Sequence, residues 1–355
     1  MVFVYHYGGG QHSSMRAMQV FGFFNKGGWT GVSLFFALSG FLITGILWDS
    51  FDDPHWWRNF YMRRTLRIFP LYFGSLLLVL VAALVVGTFS QTLRMIWVPF
   101  LFLVDIPLFK GNIDHLPVPL PLFHFWSLAV EEQFYLIWPF LLVLQKTRDR
   151  AKALCLWTFV FACVFRVLLW QLAADPQPFV EFLLTRSGEL AAGGWLAMCF
   201  RGPEWPRIVR FAPFAAVVGL AGFLFAGFAQ HTFAAQGRWM FELGLPCVTI
   251  FFVALIAIAI RPGVLGSLVS AGWLRWLGGI SYGLYVFHVL LGRIFEVIGR
   301  HLAGTHGAMV QNTLVLVVAA VGSVACAWLS FRFVETPFLR LKRRFTPAAE
   351  TLPRA

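Results

Sequence analysis

Charged residues are scarce in this chain, and their scarcity excludes most classes of soluble protein. Only 12% of the 355 residues are charged and 59% are apolar, whereas a soluble domain has about 25% and about 45–50%. This composition is not that of a cytosolic enzyme, a disordered chain or a disulfide-rich scaffold. The 40 Phe and 15 Trp residues suit contact with lipid. The composition therefore predicts an all-α, polytopic transmembrane helix bundle.

Cysteine is also rare, with 5 residues in the whole chain. Four of them lie inside apolar runs and one at the end of such a run, and none forms a Cys-x-x-Cys pair. Neither a disulfide framework nor a zinc site is predicted, and we expect no metal. The first residues, MVFVYHYGGG, have no basic leader or cleavage site, so no signal peptide is predicted.

Nine segments are long and apolar enough to cross a membrane as helices, since a span needs about 20 mostly apolar residues. They cover residues 31–49, 69–90, 124–145, 151–173, 184–200, 208–229, 240–260, 276–299 and 308–334. The run LRMIWVPFLFLV at 93–104 is too short to cross. We expect it to be an interfacial or re-entrant piece of a long outer loop, 91–123.

The net charge of +12 indicates orientation in a membrane rather than nucleic-acid binding, because the positive charges lie between the apolar segments. If segment 50–68 is cytoplasmic, that side of the membrane carries about three times as many Lys and Arg as the other. The chain then begins on the outer side, and the short basic tail, 341–355, is cytoplasmic.

The strongest candidate for chemistry is FHFWSLAVEEQFYLIWP at 123–139, since ionisable groups inside apolar spans are costly and usually functional. Helical geometry places five polar or aromatic residues on one face: His124, Ser127, Glu131, Tyr135 and Trp138. Glu132 lies about 100° away. We therefore expect Glu131 to line a polar cavity and Glu132 to pair with a buried Arg. Two carboxylates in purely structural ion pairs remain the alternative.

The second candidate is RNFYMRRTLRIFPLY at 58–72, in which Arg63, Arg64 and Arg67 project from neighbouring helical faces. Guanidinium groups bind phosphate oxygens bidentately, so the cluster suits a phosphorylated cytosolic molecule. The alternative is an anchor that contacts lipid headgroups. We expect the span to start at Pro70.

Two histidines complete the set of candidates. His6 precedes a glycine-rich segment, and imidazole takes and returns protons near neutral pH. His288 lies inside an apolar span, where a hydrogen-bonded structural role is equally plausible. The glycines around SLFFALSG, including Gly40, favour close helix packing over contact with a ligand.

Together these segments resemble acyltransferase family three, the integral-membrane O-acyltransferases that modify bacterial surface carbohydrates. The matching stretches run in the family's order over essentially the whole chain: GGWTGVSLFFALSGFLITGIL, RNFYMRRTLRIFPLYF, FHFWSLAVEEQFYLIWP, SGELAAGGWLA, WLGGISYGLYVFHVLL and FRFVETPFLRLK. The resemblance implies transfer of an acyl group, usually acetyl, from cytoplasmic acyl-CoA to a hydroxyl of an extracytoplasmic carbohydrate or glycolipid. It also implies the bacterial inner membrane, with lipid as a partner.

The resemblance assigns roles to particular residues. His6 matches the presumed catalytic base or acyl relay, and we expect Glu131 to orient it. Glu131 and Glu132 match the family's glutamates, and Arg63, Arg64 and Arg67 its cytoplasmic arginines, which would hold the donor's phosphates.

The family pattern has ten spans and an Arg 11 residues before the histidine, a position that falls before residue 1. We therefore expect residues 1–340 to form one membrane acyltransferase domain that lacks most of its first helix, through a mis-assigned start or a truncation. Two alternatives remain: a transporter or flippase without covalent chemistry, and an acyltransferase-like protein that has lost its activity.

Overall fold

The computed structural model describes residues 2–7 and 16–345, and these residues form helices and connecting turns without a β-strand. The eighteen α-helices are α1 Val2–Tyr7, α2 Arg16–Asn25, α3 Thr30–Ser50, α4 Trp56–Val85, α5 Phe89–Met95, α6 Trp97–Phe100, α7 Lys110–Asp114, α8 Trp126–Val143, α9 Arg148–Leu172, α10 Leu183–Phe200, α11 Trp205–Ala229, α12 Leu245–Ala259, α13 Val264–Val269, α14 Gly272–Gly279, α15 Ser281–Leu290, α16 Gly292–Ala303, α17 Ala308–Ser330 and α18 Thr336–Leu341. The all-α prediction is thus confirmed.

The chain divides into two compact units that alternate along the sequence. Unit 1 comprises Met1–Ile46, Asp105–Pro107 and Trp126–Gly272. Unit 2 comprises Leu47–Val104, Leu108–Phe125 and Trp273–Ala355. The prediction of one membrane domain over residues 1–340 stays a prediction.

Small residues set the helix packing in unit 1, as expected where lipid does not drive helices together. A Cβ added at Gly219 of α11 would lie 2.6 Å from the carbonyl oxygen of Cys247 on α12. Beyond this crossing, the indole of Trp29 donates to the carbonyl of Phe233 at 2.8 Å. Both rings belong to a buried apolar cluster that also contains Phe241.

Unit 2 uses the same device between its last helices. A Cβ added at Gly283 of α15 would lie 2.9 Å from the Cα of Ala327 on α17, and one at Gly299 of α16 would lie 2.6 Å from the Cα of Val315. Glycine thus brings both α15 and α16 into close contact with α17.

Most of the predicted spans occur as long apolar helices. Six helices among the described residues are long and apolar enough to cross a membrane, and seven if the pair α15 and α16, bent by 68°, counts as one span. The six cover Gly22–Ser50, Trp56–Val85, Arg148–Leu172, Trp205–Ala229, Met240–Ala259 and Ala308–Phe345. The molecule is therefore a multi-pass membrane protein. The predicted segments 124–145 and 184–200 are helical as well, in α8 and α10.

Two predicted boundaries were wrong. The span placed at 69–90 belongs to α4, which begins at Trp56 and holds Pro70 in its interior. The arginine cluster is therefore part of the same helix rather than a segment before it. The span placed at 276–299 is divided among α14, α15 and α16, because the chain breaks at Ile280 and Leu291.

The run at 93–104 contains only the end of α5 and the short α6. Neither helix is long enough to cross a membrane. The prediction that this run does not span is confirmed, and its position at an interface stays a prediction.

Candidate functional site

A buried carboxylate held by two hydroxyl groups lies in unit 1. The side chain of Glu131, on α8, is 4% exposed. Its Oε1 accepts hydrogen bonds from Ser39 Oγ and Tyr135 Oη, and the two hydroxyl oxygens are themselves 2.7 Å apart. Three groups that can carry or accept a proton therefore meet at one point.

The position of Ser39 follows from glycines on both sides of a helix crossing. A Cβ added at Gly40 on α3 would lie 1.8 Å from the carbonyl oxygen of Leu190 on α10, and one at Gly193 would lie 1.9 Å from that of Ala37. At these positions only glycine lets the two backbones touch. The interpretation of Gly40 as a packing residue is thus supported.

The helical face predicted for α8 is largely confirmed. All five predicted members are buried, and four of them lie on α8: Ser127, Glu131, Tyr135 and Trp138. Trp138 continues the polar contacts below the carboxylate, since its Nε1 donates to Thr44 Oγ1 at 2.9 Å. Glu132 is half-buried, and its predicted pairing with a buried Arg stays a prediction.

An ion pair on α10 forms a second buried polar group in unit 1. Arg186 Nη1 lies 3.1 Å from Glu189 Oε1, and the two side chains are 2% and 1% exposed. The guanidinium lies between the rings of Trp29 and Trp126, 5.4 and 5.2 Å from their centroids. Such cation–π contacts compensate for water lost on burial.

Arg166, on α9, is equally buried, at 1% exposure. It donates to the carbonyl of Thr185 at 2.6 Å and interacts electrostatically with both Arg186 and Glu189. Arg166, Arg186 and Glu189 are not among the residues predicted from the sequence. The signal that could have found them was their charge inside the apolar segments 151–173 and 184–200.

Asp105 joins the start of α10 to α8 by its carboxylate. Oδ1 accepts from Gln133 Nε2 at 2.7 Å, and Oδ2 accepts from the backbone N–H of Leu183 at 3.2 Å. Burial raises the pKa of Asp105 to about 6, although these hydrogen bonds act in the opposite direction. Its charge therefore changes in a mildly acidic range.

His6 lies on α1 with an exposed side chain, its ring edge-on to Tyr5 with centroids 5.2 Å apart. Its assignment as the base stays a prediction. Among residues 2–7 and 16–345, no group of three or more His, Cys, Asp and Glu side chains is placed to hold a metal ion.

Two other histidines lie together in unit 2. His288 Nδ1 contacts the carbonyls of Leu284 and Tyr285 at 3.0 and 2.7 Å, so Nδ1 is its protonated nitrogen. His124 lies 6.0 Å from it between ring centroids, and Tyr285 Oη donates to the carbonyl of His124. These contacts favour the structural interpretation of His288. His124 belongs to a turn before α8 rather than to the helical face.

The predicted arginine cluster lies on the first half of α4, in unit 2. Arg63, Arg64 and Arg67 are all half-buried. Arg67 Nη1 lies 3.8 Å from Glu335 Oε2, a carboxylate that is 1% exposed. Arg64 lies 6.0 Å from the ring centroid of Phe60. The three charges thus share one stretch of helix, as the spacing predicts.

Comparison with known proteins gives one consistent result. A family model described as an acyltransferase domain matches residues 1–332. The chain is 30% identical over 341 residues to the peptidoglycan O-acetyltransferase OatA of Listeria monocytogenes, covering 88% of this chain and 51% of that protein. It is 29% identical over 344 residues to the putative peptidoglycan O-acetyltransferase YrhL of Bacillus subtilis, covering 88% and 50%.

A third relative is a putative O-acetyltransferase of Staphylococcus aureus, 26% identical over 339 residues, which cover 88% of this chain and 53% of that protein. The chain thus spans about half the length of these curated relatives. No solved structure matches it.

Proposed function

Because this chain belongs to the acyltransferase family, whose model matches residues 1–332, we propose that it is a membrane O-acetyltransferase. It transfers an acetyl group from cytoplasmic acetyl-CoA to a hydroxyl of a carbohydrate outside the bacterial inner membrane. Two relatives are named peptidoglycan O-acetyltransferases, one of them putatively, and this makes peptidoglycan the first acceptor to test.

The observation that carries the proposal is the buried Glu131 carboxylate with its two hydroxyl partners. An ionisable group inside a membrane helix is costly, and proteins keep it mainly where it has a function. Hydroxyl donors at close range hold the carboxylate in one orientation. This arrangement suits a group that handles protons during a transfer reaction.

The proposed reaction assigns one role to each predicted residue. The acceptor hydroxyl oxygen bonds to the thioester carbonyl carbon, its proton passes to His6, and the carbon–sulfur bond breaks. The departing thiolate then takes up that proton. Glu131 orients the imidazole or stabilises its protonated form, as a carboxylate does in a catalytic triad, and Glu132 supports the same site.

The donor is a substrate with several phosphate groups, and Arg63, Arg64 and Arg67 are the residues proposed to hold them. Their shared position on α4 supports this assignment, because guanidinium groups bind phosphate oxygens in a bidentate manner.

The test follows labelled acetyl groups from acetyl-CoA into peptidoglycan in membranes that contain the full chain. We expect incorporation by the natural chain, a loss of about 100-fold or more in His6→Ala, and about tenfold or more in Glu131→Gln. Glu296→Gln is the matched control, since Glu296 is an exposed carboxylate on α16 paired with Arg300. Equal incorporation by all four chains would contradict the site, and absence of covalent label would favour a transporter.

A further inference from the structure

A second cationic surface lies in unit 2, in a cavity of about 630 Å³ between α14 and the helical stretch that ends α17 and continues through α18. This volume lies within the range of about 300–1,000 Å³ that is typical of small-molecule sites. Its most distinctive lining residues are Trp276, Trp328, Arg332, Thr336, Arg340 and Arg343.

The three arginines of this cavity have no acidic partner in the described part of the chain. The nearby carboxylate, Glu335, pairs with Arg67 on α4. No described carboxylate lies within ion-pair distance of Arg332, Arg340 or Arg343. Three like charges on one wall repel each other unless an anion lies between them. The cavity therefore has the electrostatics of an anion site.

A turn of π-helix brings two of the three arginines, Arg332 and Arg340, onto one helical face. The π-turn covers Phe331–Glu335, and Thr336 Oγ1 donates to the carbonyl of Phe331 at 2.6 Å. One inserted residue rotates the positions that follow it by about 100°. Arg340, eight residues after Arg332, consequently returns to within about 20° of the face of Arg332, and Glu335 is buried. π-Turns of this kind often occur at functional sites.

Two tryptophans narrow the chemical class of the ligand. Trp276 and Trp328 line the cavity and are 49% and 47% exposed. Inorganic phosphate needs only the arginines, whereas a nucleotide also presents a flat base that stacks on indole or guanidinium planes. The combination of two indoles with three guanidinium groups fits a molecule that joins a purine to several phosphates.

We propose that this cavity binds the phosphorylated adenosine end of coenzyme A. The inference rests on the proposed function, since acetyl-CoA is the donor named there. It extends the donor site from the arginines of α4 to those of this cavity, because α4 packs against α18. Charge distribution predicts the loop 261–275 and the chain after 335 to be cytoplasmic. Coenzyme A reaches the cavity from that side.

The test measures coenzyme A binding to the full chain, purified in a neutral detergent, by titration calorimetry. Replacing Arg340 and Arg343 by Gln should weaken binding about tenfold or more, because bidentate contacts to phosphate are lost. Arg344→Gln is the matched control, since Arg344 is exposed and adjacent but does not line the cavity. Trp276→Leu should weaken binding of coenzyme A and leave binding of inorganic pyrophosphate unchanged. Unchanged thermal unfolding temperatures confirm that the variants are folded.

Three results would overturn the site. The first is coenzyme A binding to the Arg340→Gln/Arg343→Gln chain as tightly as to the natural chain. The second is absence of binding by the natural chain, and the third is displacement of coenzyme A by phosphatidylglycerol but not by 3′-phosphoadenosine 5′-phosphate, which would assign the cavity to a lipid headgroup.

The proposed function is judged separately, by acetyl transfer. Transfer together with unaltered coenzyme A binding in the double variant would leave the function standing and the site refuted. Coenzyme A binding that is lost in the double variant, without acetyl transfer by the natural chain, would leave the site standing and the function refuted.

Discussion

Replacing Gly40 by alanine tests the contact that positions Ser39. The added Cβ would lie 1.8 Å from the carbonyl oxygen of Leu190 and 2.7 Å from its Cα. Ordinary contacts of this kind are about 3.4–4 Å. Because the obstructing atoms are backbone, no side-chain rotation relieves the clash. The helices α3 and α10 would have to separate by about 1.5 Å.

The expected cost follows from that separation. Overpacking a well-packed interior costs about 1–3 kcal/mol, and sometimes more. The same movement would weaken the reciprocal contact between Gly193 and Ala37 and displace the hydroxyl of Ser39 from Glu131. We expect a loss of at least about 3 kcal/mol in the free energy of unfolding. For a chain of this size it lowers the thermal unfolding temperature by roughly 4 °C or more.

Thermal unfolding of the purified chain in detergent measures the effect, and Gly74→Ala provides the matched control. Gly74 also lies inside a long apolar helix, but a Cβ added there meets no atom within 4 Å. Alanine at Gly74 should therefore be neutral or stabilise the chain by up to about 1 kcal/mol, through helix propensity. If Gly40→Ala unfolds within 1 °C of the control, the close backbone contact and its role in placing Ser39 are refuted.

Three further predictions concern stability. Burial raises the pKa of Asp105 to about 6 from an ordinary 3.8, so between these values the folded state holds a proton that the unfolded chain releases. The free energy of unfolding should therefore fall as the pH rises from about 4 to 6. Thermal unfolding of Asp105→Asn, measured over the same pH range, should lack this fall. A hydrogen bond from Arg148 lowers the pKa of Glu204 to about 2, so the stability that Glu204 contributes is lost as the pH falls below about 4.5. Glu204→Gln should lower the free energy of unfolding by about 1 kcal/mol at pH 7 and should lack this part of the acid-induced loss. Identical pH dependence of thermal unfolding in the natural chain and in Glu204→Gln would contradict this prediction. Trp138→Phe removes the indole donor from buried Thr44 and should lower the free energy of unfolding by about 1–3 kcal/mol. The double variant Trp138→Phe/Thr44→Val should lose less than the sum of the two single variants. Strictly additive losses would exclude an energetic coupling between the two side chains.

The helical fold is largely readable from the sequence because each apolar segment must satisfy its backbone hydrogen bonds internally. Hydropathy locates such segments well and their ends poorly. Arg63 and its neighbours continue α4 toward the N-terminus although they are charged, because helix geometry does not depend on hydropathy. The hydropathy pattern predicts a helix start at Pro70, yet Pro70 lies inside α4. The reason is that hydropathy rises at Pro70, whereas the helical backbone conformation continues through it.

The candidate site was readable only in part, and the division has a physical cause. Helical spacing alone predicts that Glu131 and Tyr135 share a face, since positions four apart lie above each other. It does not predict that Ser39 completes the cluster, because that contact joins residues 92 positions apart. Such contacts depend on how α3 crosses α10. Gly40 and Gly193 make that crossing possible, but the sequence does not show which backbone atoms they contact.

The buried carboxylates of unit 1 show why the site cannot be identified from charge alone. Glu131 and Glu189 are both almost fully buried, and each lies in a helix of 18 residues. Glu189 forms an ion pair with the guanidinium of Arg186. Glu131 receives hydroxyl donors, and each hydroxyl both accepts and donates a proton. A carboxylate in such surroundings can take part in proton transfer, and for this reason Glu131 is the carboxylate to which the proposed transfer reaction is assigned.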